Sequence, residues 1–95
     1  MSVTLQVPGA LAGYAGGRRR IELAVPLPPA TVARVLDRLA QDLPALERRI
    51  RDERAEIRRH VNVYVDGADI RTLSGAQTPV PDGATVDVIA AVSGG

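Results

Sequence analysis

The chain has 95 residues, 45% of them hydrophobic and 24% charged, with a formal net charge of +1, so it forms one modest domain with no room for a second. It contains no cysteine, which excludes a disulfide framework, a thiolate metal site and a cysteine nucleophile. A charge this close to neutral argues against a dedicated nucleic-acid binder, which is ordinarily clearly basic.

Residues 3 to 8 alternate apolar and polar, which places Val3, Leu5 and Val7 on one face of a half-buried strand. Gly9, Gly13, Gly16 and Gly17 then mark a flexible connection, and Arg18, Arg19 and Arg20 lead into a second alternating run with Ile21, Leu23 and Val25 in phase. The two runs read as a hairpin with a long loop. Pro26, Pro28 and Pro29 stop the sheet, because proline removes a ladder donor.

Beyond them the period changes from two to 3.6. Val32, Val35, Leu36, Leu39 and Leu43 share one side and Arg34, Asp37, Arg38, Gln41 and Asp42 the other, predicting an amphipathic helix over Thr31 to Leu43. Residues 45 to 59 carry six arginines and four acids around Leu46, Ile50 and Ile57, and read as a solvated helical or loop segment laced by i,i+4 ion pairs.

His60 to Val65 alternates again, with Val61, Val63 and Val65 in phase and Tyr64 out of phase. Asp66-Gly67 is a turn signal, and Ala68 to Arg71 reads as a short return strand. Thr72 to Val80 is loop-like, and Pro81-Asp82-Gly83 is a turn in which proline fixes φ and glycine permits φ > 0. The last strand runs from Thr85 to Val92, with Val86 and Val88 facing one way and Ile89 and Ala91 the other; apolar residues on both faces place it centrally.

One helix and one sheet, each with a single apolar face, make a two-layer α+β domain. With the last strand central it lies beside the first, flanked by the two hairpins: a β-grasp with a mixed sheet of four to five strands and one main helix on one face. The expected core is Val3, Leu5, Val7, Leu23, Val32, Val35, Leu36, Leu39, Val61, Val63, Val86 and Val88. Residues 1–92 form this domain, and 93–95 a flexible tail.

The function classes narrow further. All twelve basic residues are arginine, so no lysine amine can form a Schiff base or accept an acyl group. A single histidine cannot hold zinc, and no metal site is predicted. Two tyrosines are the only aromatics, which leaves no platform for stacking nucleic-acid bases. No nucleophile–base pair is visible, so no catalytic residue is assigned. No apolar run approaches the roughly 18 residues of a membrane span, and the first residues lack the basic and apolar regions of a signal peptide, so a cytoplasmic protein with no membrane contact is expected.

The chain ends Val92-Ser93-Gly94-Gly95 directly after the predicted central strand. At a glycine usage of about 7%, a paired ending arises by chance in roughly 0.5% of sequences. A carboxylate at such an end can be activated as an acyl-adenylate if it is threaded into a nucleotide-binding enzyme, and glycine permits close backbone approach in a narrow channel. Val92 to Gly95, fully extended, spans about 13–14 Å.

A β-grasp domain of under 100 residues ending in Gly-Gly resembles the ubiquitin-like sulfur carriers of bacteria, among them the small subunit of molybdopterin synthase, the thiamin thiazole sulfur carrier and the carrier of O-phosphoserine-dependent cysteine synthesis. The resemblance spans essentially the whole chain. It is carried by Val61-Asn62-Val63-Tyr64-Val65, by Thr78-Pro79 followed by Asp82-Gly83, and by Val88 through Gly95. The Gly16-Gly17 loop and the long segment 44–59 look most like the cysteine-synthesis carrier, whereas Ala90-Ala91 stands where relatives often carry a proline-containing stretch.

The resemblance implies that a separate E1-like enzyme uses ATP to adenylate the Gly95 carboxylate, with Val92, Ser93 and Gly94 threaded into it. Sulfide or a persulfide then displaces AMP to leave a thiocarboxylate, which gives its sulfur to a substrate on a synthase: a cysteine synthase, a molybdopterin synthase large subunit or a thiazole synthase. On this reading the protein is a co-substrate that binds no cofactor and is a monomer when free. Tyr64, out of phase with Val63 and Val65, either lies on the exposed sheet face, where an aromatic suits a partner surface, or packs against loop 72–80. The competing reading is an RNA- or ribosome-associated β-grasp module that uses its arginines for phosphate contacts.

Overall fold

The computed structural model describes residues 1–25 and 30–90. The prolines expected to stop the sheet, the last two residues of the expected final strand (91 and 92) and the tail 93–95 lie outside the described residues. The elements are β1 (Ser2–Gln6), α1 (Gly9–Ala12), β2 (Arg20–Ala24), β3 (Ala30–Thr31), α2 (Val32–Asp42), α3 (Pro44–Ile50), β4 (Val61–Val65), β5 (Ala68–Asp69), β6 (Pro79–Val80) and β7 (Thr85–Ala90).

Five strands form a mixed sheet in the order β2-β1-β7-β4-β5. β7 is central as expected, parallel to β1 and antiparallel to β4. Its start is fixed by the two predicted turns. In the turn Asp66-Gly67 both residues have positive φ, +48° and +88°, the pair a tight I′ hairpin turn requires. Asp66 also receives a hydrogen bond on Oδ1 from the Thr85 amide, at 2.9 Å, and its own amide donates to the Thr85 carbonyl. At Pro81-Asp82-Gly83, the Gly83 amide donates to the Ser2 carbonyl and Asp82 Oδ1 accepts from the Ser2 amide, at 2.7 and 2.8 Å, so this turn is pinned to the start of β1.

All twelve residues of the expected core are buried, and α2 supplies four of the most deeply enclosed, Val32, Val35, Leu36 and Leu39. Thr31 caps α2, its Oγ1 accepting from the Arg34 amide at 3.3 Å, which sets the helix one residue inside the predicted start. Because Leu36 and Leu39 are fully enclosed between helix and sheet, Leu36→Ala or Leu39→Ala is expected to destabilise by roughly 2–5 kcal/mol. Urea unfolding measures this, and a loss below about 1 kcal/mol at both positions would place that helix face elsewhere.

Four expectations need correction. The glycine-rich connection after β1 is not an unstructured loop: α1 and a 3-10 turn over Gly13–Ala15 fill it, because Leu11, Ala12 and Ala15 are buried there and the Gly17 amide closes on the Ala12 carbonyl at 2.8 Å. Segment 45–59 is not solvated throughout, since α3 packs on α2 with Leu46 and Ile50 fully buried. After Ile50 the chain leaves the helix and forms a tight loop in which Asp52 Oδ1 accepts from the amides of Arg54 and Glu56. Within the presumed loop 72–80, Pro79–Val80 pairs with Ala30–Thr31 as a second, two-stranded sheet that buries Thr78 and Val80. The return strand after Gly67 is shorter than expected, Ala68–Asp69, and passes directly into a 3-10 turn at Ile70.

The ion pairs of segment 44–59 are fewer and deeper than the charge pattern suggests. Arg51 is 5% exposed; its Nε donates to Glu47 Oε2 at 2.8 Å and its Nη1 to Asp37 Oδ1 at 2.9 Å. One buried guanidinium therefore joins α3 to α2. Arg49 adds a contact on the other side of α3, its guanidinium lying 4.6 Å from the centre of the Tyr14 ring.

On the sheet face away from α2, Glu22 of β2 accepts hydrogen bonds from the Thr4 and Ser2 hydroxyls of β1, at 2.6 and 3.1 Å. These bonds favour the charged carboxylate and hold its pKa below the ordinary 4.5. A depressed folded-state pKa contributes stability above the unfolded value and loses it as pH falls through the folded one. Glu22→Gln is therefore expected to lower the melting temperature at neutral pH and to make no difference once the solution is acid enough to protonate both states. Equal lowering at both pH values would show that charge has no part in the effect.

Candidate functional site

The candidate site is the end of β7, beyond which the sequence continues to Gly95. β7 pairs with Thr4, Leu5 and Gln6 on one side and with Val61 through Val65 on the other, and its last described residue, Ala90, lies in register with Val61. The strand is central, paired with β1 over Thr85–Asp87 and with β4 up to Ala90, so its last described residues are held by β4. Arg58, Arg59 and His60 immediately precede Val61, so two arginines sit in the chain directly before the residue paired with the exit.

Beside the exit lies the sheet face that α2 does not cover. Tyr64, the candidate partner-facing aromatic, is half-buried there, in register with Asp87 of β7 and Asp69 of β5. Ile89 is on the same face, opposite Asn62, and is 50% exposed. β7 is central without being covered on both sides, so the second apolar face of the strand serves as surface rather than core. The signal for Ile89 was its phase: it is the apolar residue of β7 out of step with Val86 and Val88. Asn62 Oδ1, next to it, is buried with no hydrogen-bond partner among the described residues.

His60 is exposed, and Arg18 and Arg19 are exposed in the connection that leads into β2. No cluster of three or more His, Cys, Asp or Glu that could hold a metal ion occurs among the described residues. No described helix is long and apolar enough to cross a membrane. Val92, Ser93, Gly94 and Gly95 fall outside the described residues, and Tyr64 is the one sequence-predicted site residue within them. The arrangement can present a chain end to a second protein: a rigid strand, an uncovered sheet face with one exposed aliphatic side chain, and arginines beside the exit.

Three comparisons bear on this geometry. The model of the ThiS family matches residues 5–95. The sulfur carrier protein CysO of Mycobacterium tuberculosis is 29% identical over 97 aligned positions, covering the whole of both chains. Among solved structures, the chain superposes on one from the Amycolatopsis orientalis BexX/CysO complex with a TM-score of 0.84 at 31% identity, covering 98% of this chain and 99% of that one. It superposes on the small archaeal modifier SAMP1 of Haloferax volcanii with a TM-score of 0.83 at 29% identity, over the full length of both. These neighbours share the ubiquitin-like β-grasp.

Proposed function

The chain belongs to the ThiS family, and from that premise we propose that it carries sulfur as a thiocarboxylate on Gly95. A partner enzyme adenylates the carboxylate: one carboxylate oxygen attacks the α-phosphorus of ATP and pyrophosphate leaves. Sulfide then attacks the acyl carbon and AMP departs, or a persulfide attacks and a thiol reduces the resulting acyl disulfide. The thiocarboxylate sulfur is the nucleophile toward the final acceptor. In this scheme the carrier contributes no acid, base or metal and is consumed and regenerated as a protein substrate; ATP is bound by the partner.

The observation that carries the reading is the position of β7. The strand that delivers the tail is the central one, so a partner can draw on residues 91–95 while the sheet stays clamped on both sides. Five residues fully extended reach roughly 17 Å beyond Ala90. The family match extending to residue 95 and the end-to-end alignment with CysO support Gly95 as the reacting terminus.

Both the CysO similarity and the long segment before β4 favour cysteine synthesis as the receiving pathway and a cysteine synthase as the acceptor enzyme, ahead of molybdopterin or thiazole synthesis. The test is intact-protein mass spectrometry after incubation with an adenylating enzyme of the same organism, ATP and sulfide. The expected result is a gain of about 16 Da, the exchange of one oxygen for sulfur. Arg38→Ala, on the solvent side of α2, is expected to convert normally. No gain, or a gain by a chain lacking Gly94 and Gly95, would overturn the proposal.

A further inference from the structure

A groove of about 490 Å³ lies on the helix side of the sheet, past the end of the surface that α2 covers, between the loop 55–59 and the segment 70–76. Its size falls within the range of ordinary ligand-binding clefts. Ile57, Val61, Val63 and Ile70 contribute its apolar lining. Arg58, Arg59 and Arg71 line it as well, against a single acid, Glu56. Among the described residues none of these three arginines takes part in an ion pair, and Arg58 spends its Nε on the Arg48 carbonyl. Asp52 feels the field of Arg58 but is not part of the lining.

Two features single this groove out. Its charge is one-sided, which fits an occupant that combines carboxylates with an apolar group. It also adjoins the exit of the tail, because Val61 of the lining is the register partner of Ala90.

We propose that the groove is a docking site for an acidic segment of a partner enzyme that works on the tail, one aliphatic or aromatic side chain seated on the apolar floor and flanking carboxylates on Arg59 and Arg71. Naming the partner as a tail-handling enzyme rests on the carrier reading; the groove's preference for an acidic, apolar peptide does not. The surface differs from the uncovered sheet face around Tyr64 and Ile89, so a partner that grips both would hold the exit of β7 from two sides.

The test is a titration of the isotopically labelled full chain, followed by NMR, with a blocked peptide of glutamates around a central leucine. The same peptide with lysines in place of glutamates, and a single-stranded oligouridylate, are run beside it. The expected result is amide shifts concentrated at Val61, Val63, Ile70 and Ala76 with the acidic peptide. Binding is expected to weaken at least about tenfold in the double variant Arg59→Glu/Arg71→Glu, whose side chains lie on the surface and whose fold is checked by its own spectrum. Ala76→Glu, which adds bulk and a competing carboxylate to the lining, is expected to weaken it as well. Absent shifts, shifts gathered around Tyr64 and Ile89, equal response to the lysine peptide, or a stronger response to the oligonucleotide would each overturn the proposal. The titration makes no use of Gly95 chemistry and the mass measurement makes no use of the groove, so the two readings fail separately.

Discussion

Deletion of Gly95 is expected to abolish the 16-Da gain altogether (about 16 Da, one oxygen exchanged for sulfur). The residue that then ends the chain is Gly94, whose carboxylate stops about 3.5 Å short of the place the Gly95 carboxylate would take, and so well outside attacking distance of the phosphorus. Near-attack geometry asks for reacting atoms about 3–3.5 Å apart, so a one-residue shortfall removes the advantage of holding them together. Gly94→Val is expected to do nearly as much for a different reason. A β-branched side chain restricts the backbone and fills space that a channel built for glycine does not provide. In both variants the melting temperature is expected to stay at its original value, because every described sheet pairing lies at or before Ala90. A conversion that survives deletion of Gly95 would mean that sulfur is carried elsewhere.

Arg51→Ala is expected to produce the largest loss of stability among single changes to a charged residue, about 3 kcal/mol, the low end for breaking a buried pair. The low end applies because the two partners differ. Glu47 is 7% exposed and would be left as a buried carboxylate without its cation, whereas the Asp37 side chain is 66% exposed and returns to water. Replacing both members by apolar residues, Arg51→Met with Glu47→Leu, is expected to restore most of the loss, since desolvation then falls on neither. Chemical unfolding of Arg51→Met, Glu47→Leu and their double closes the cycle, with Arg51→Ala measured beside it. A loss below about 1 kcal/mol for Arg51→Ala would show that Arg51 is replaceable by water.

The strands and α2 were legible because their apolar residues repeat at two or at 3.6 and because one face of each is buried. Asp66-Gly67 and Pro81-Asp82-Gly83 were legible because turn chemistry is local. What the pattern concealed was non-local. α1 is short and built of Gly9, Ala10, Leu11 and Ala12, residues that signal a loop by composition and become helical through tertiary burial. α3 presents only Leu46 and Ile50 inward, and its charges read as solvent-facing until Arg51 is seen between Glu47 and Asp37. The pairing of β3 with β6 joins segments nearly fifty positions apart, which no periodicity reports. At the candidate site, the family resemblance pointed to the tail, and Tyr64 was named from its phase. Ile89 and the arginine-lined groove needed coordinates, because both depend on what α2 leaves uncovered.

The parallel pairing of β1 with β7 has a mechanical meaning. A load applied at Gly95 along the strand axis runs down β7 and is met first by β4, paired from Ala90 inward, and then also by β1, paired from Asp87 to Thr85. Hydrogen bonds on both edges are then strained in shear and must yield together, whereas a strand peeled from a sheet edge gives up its bonds one after another. Thr85, held to Asp66 at the far end of β7, adds an anchor that the load reaches last. A protease or unfoldase that grips this C-terminus therefore meets the domain in its most resistant direction, and the same pull applied at β5, on the edge of the sheet, meets the weakest.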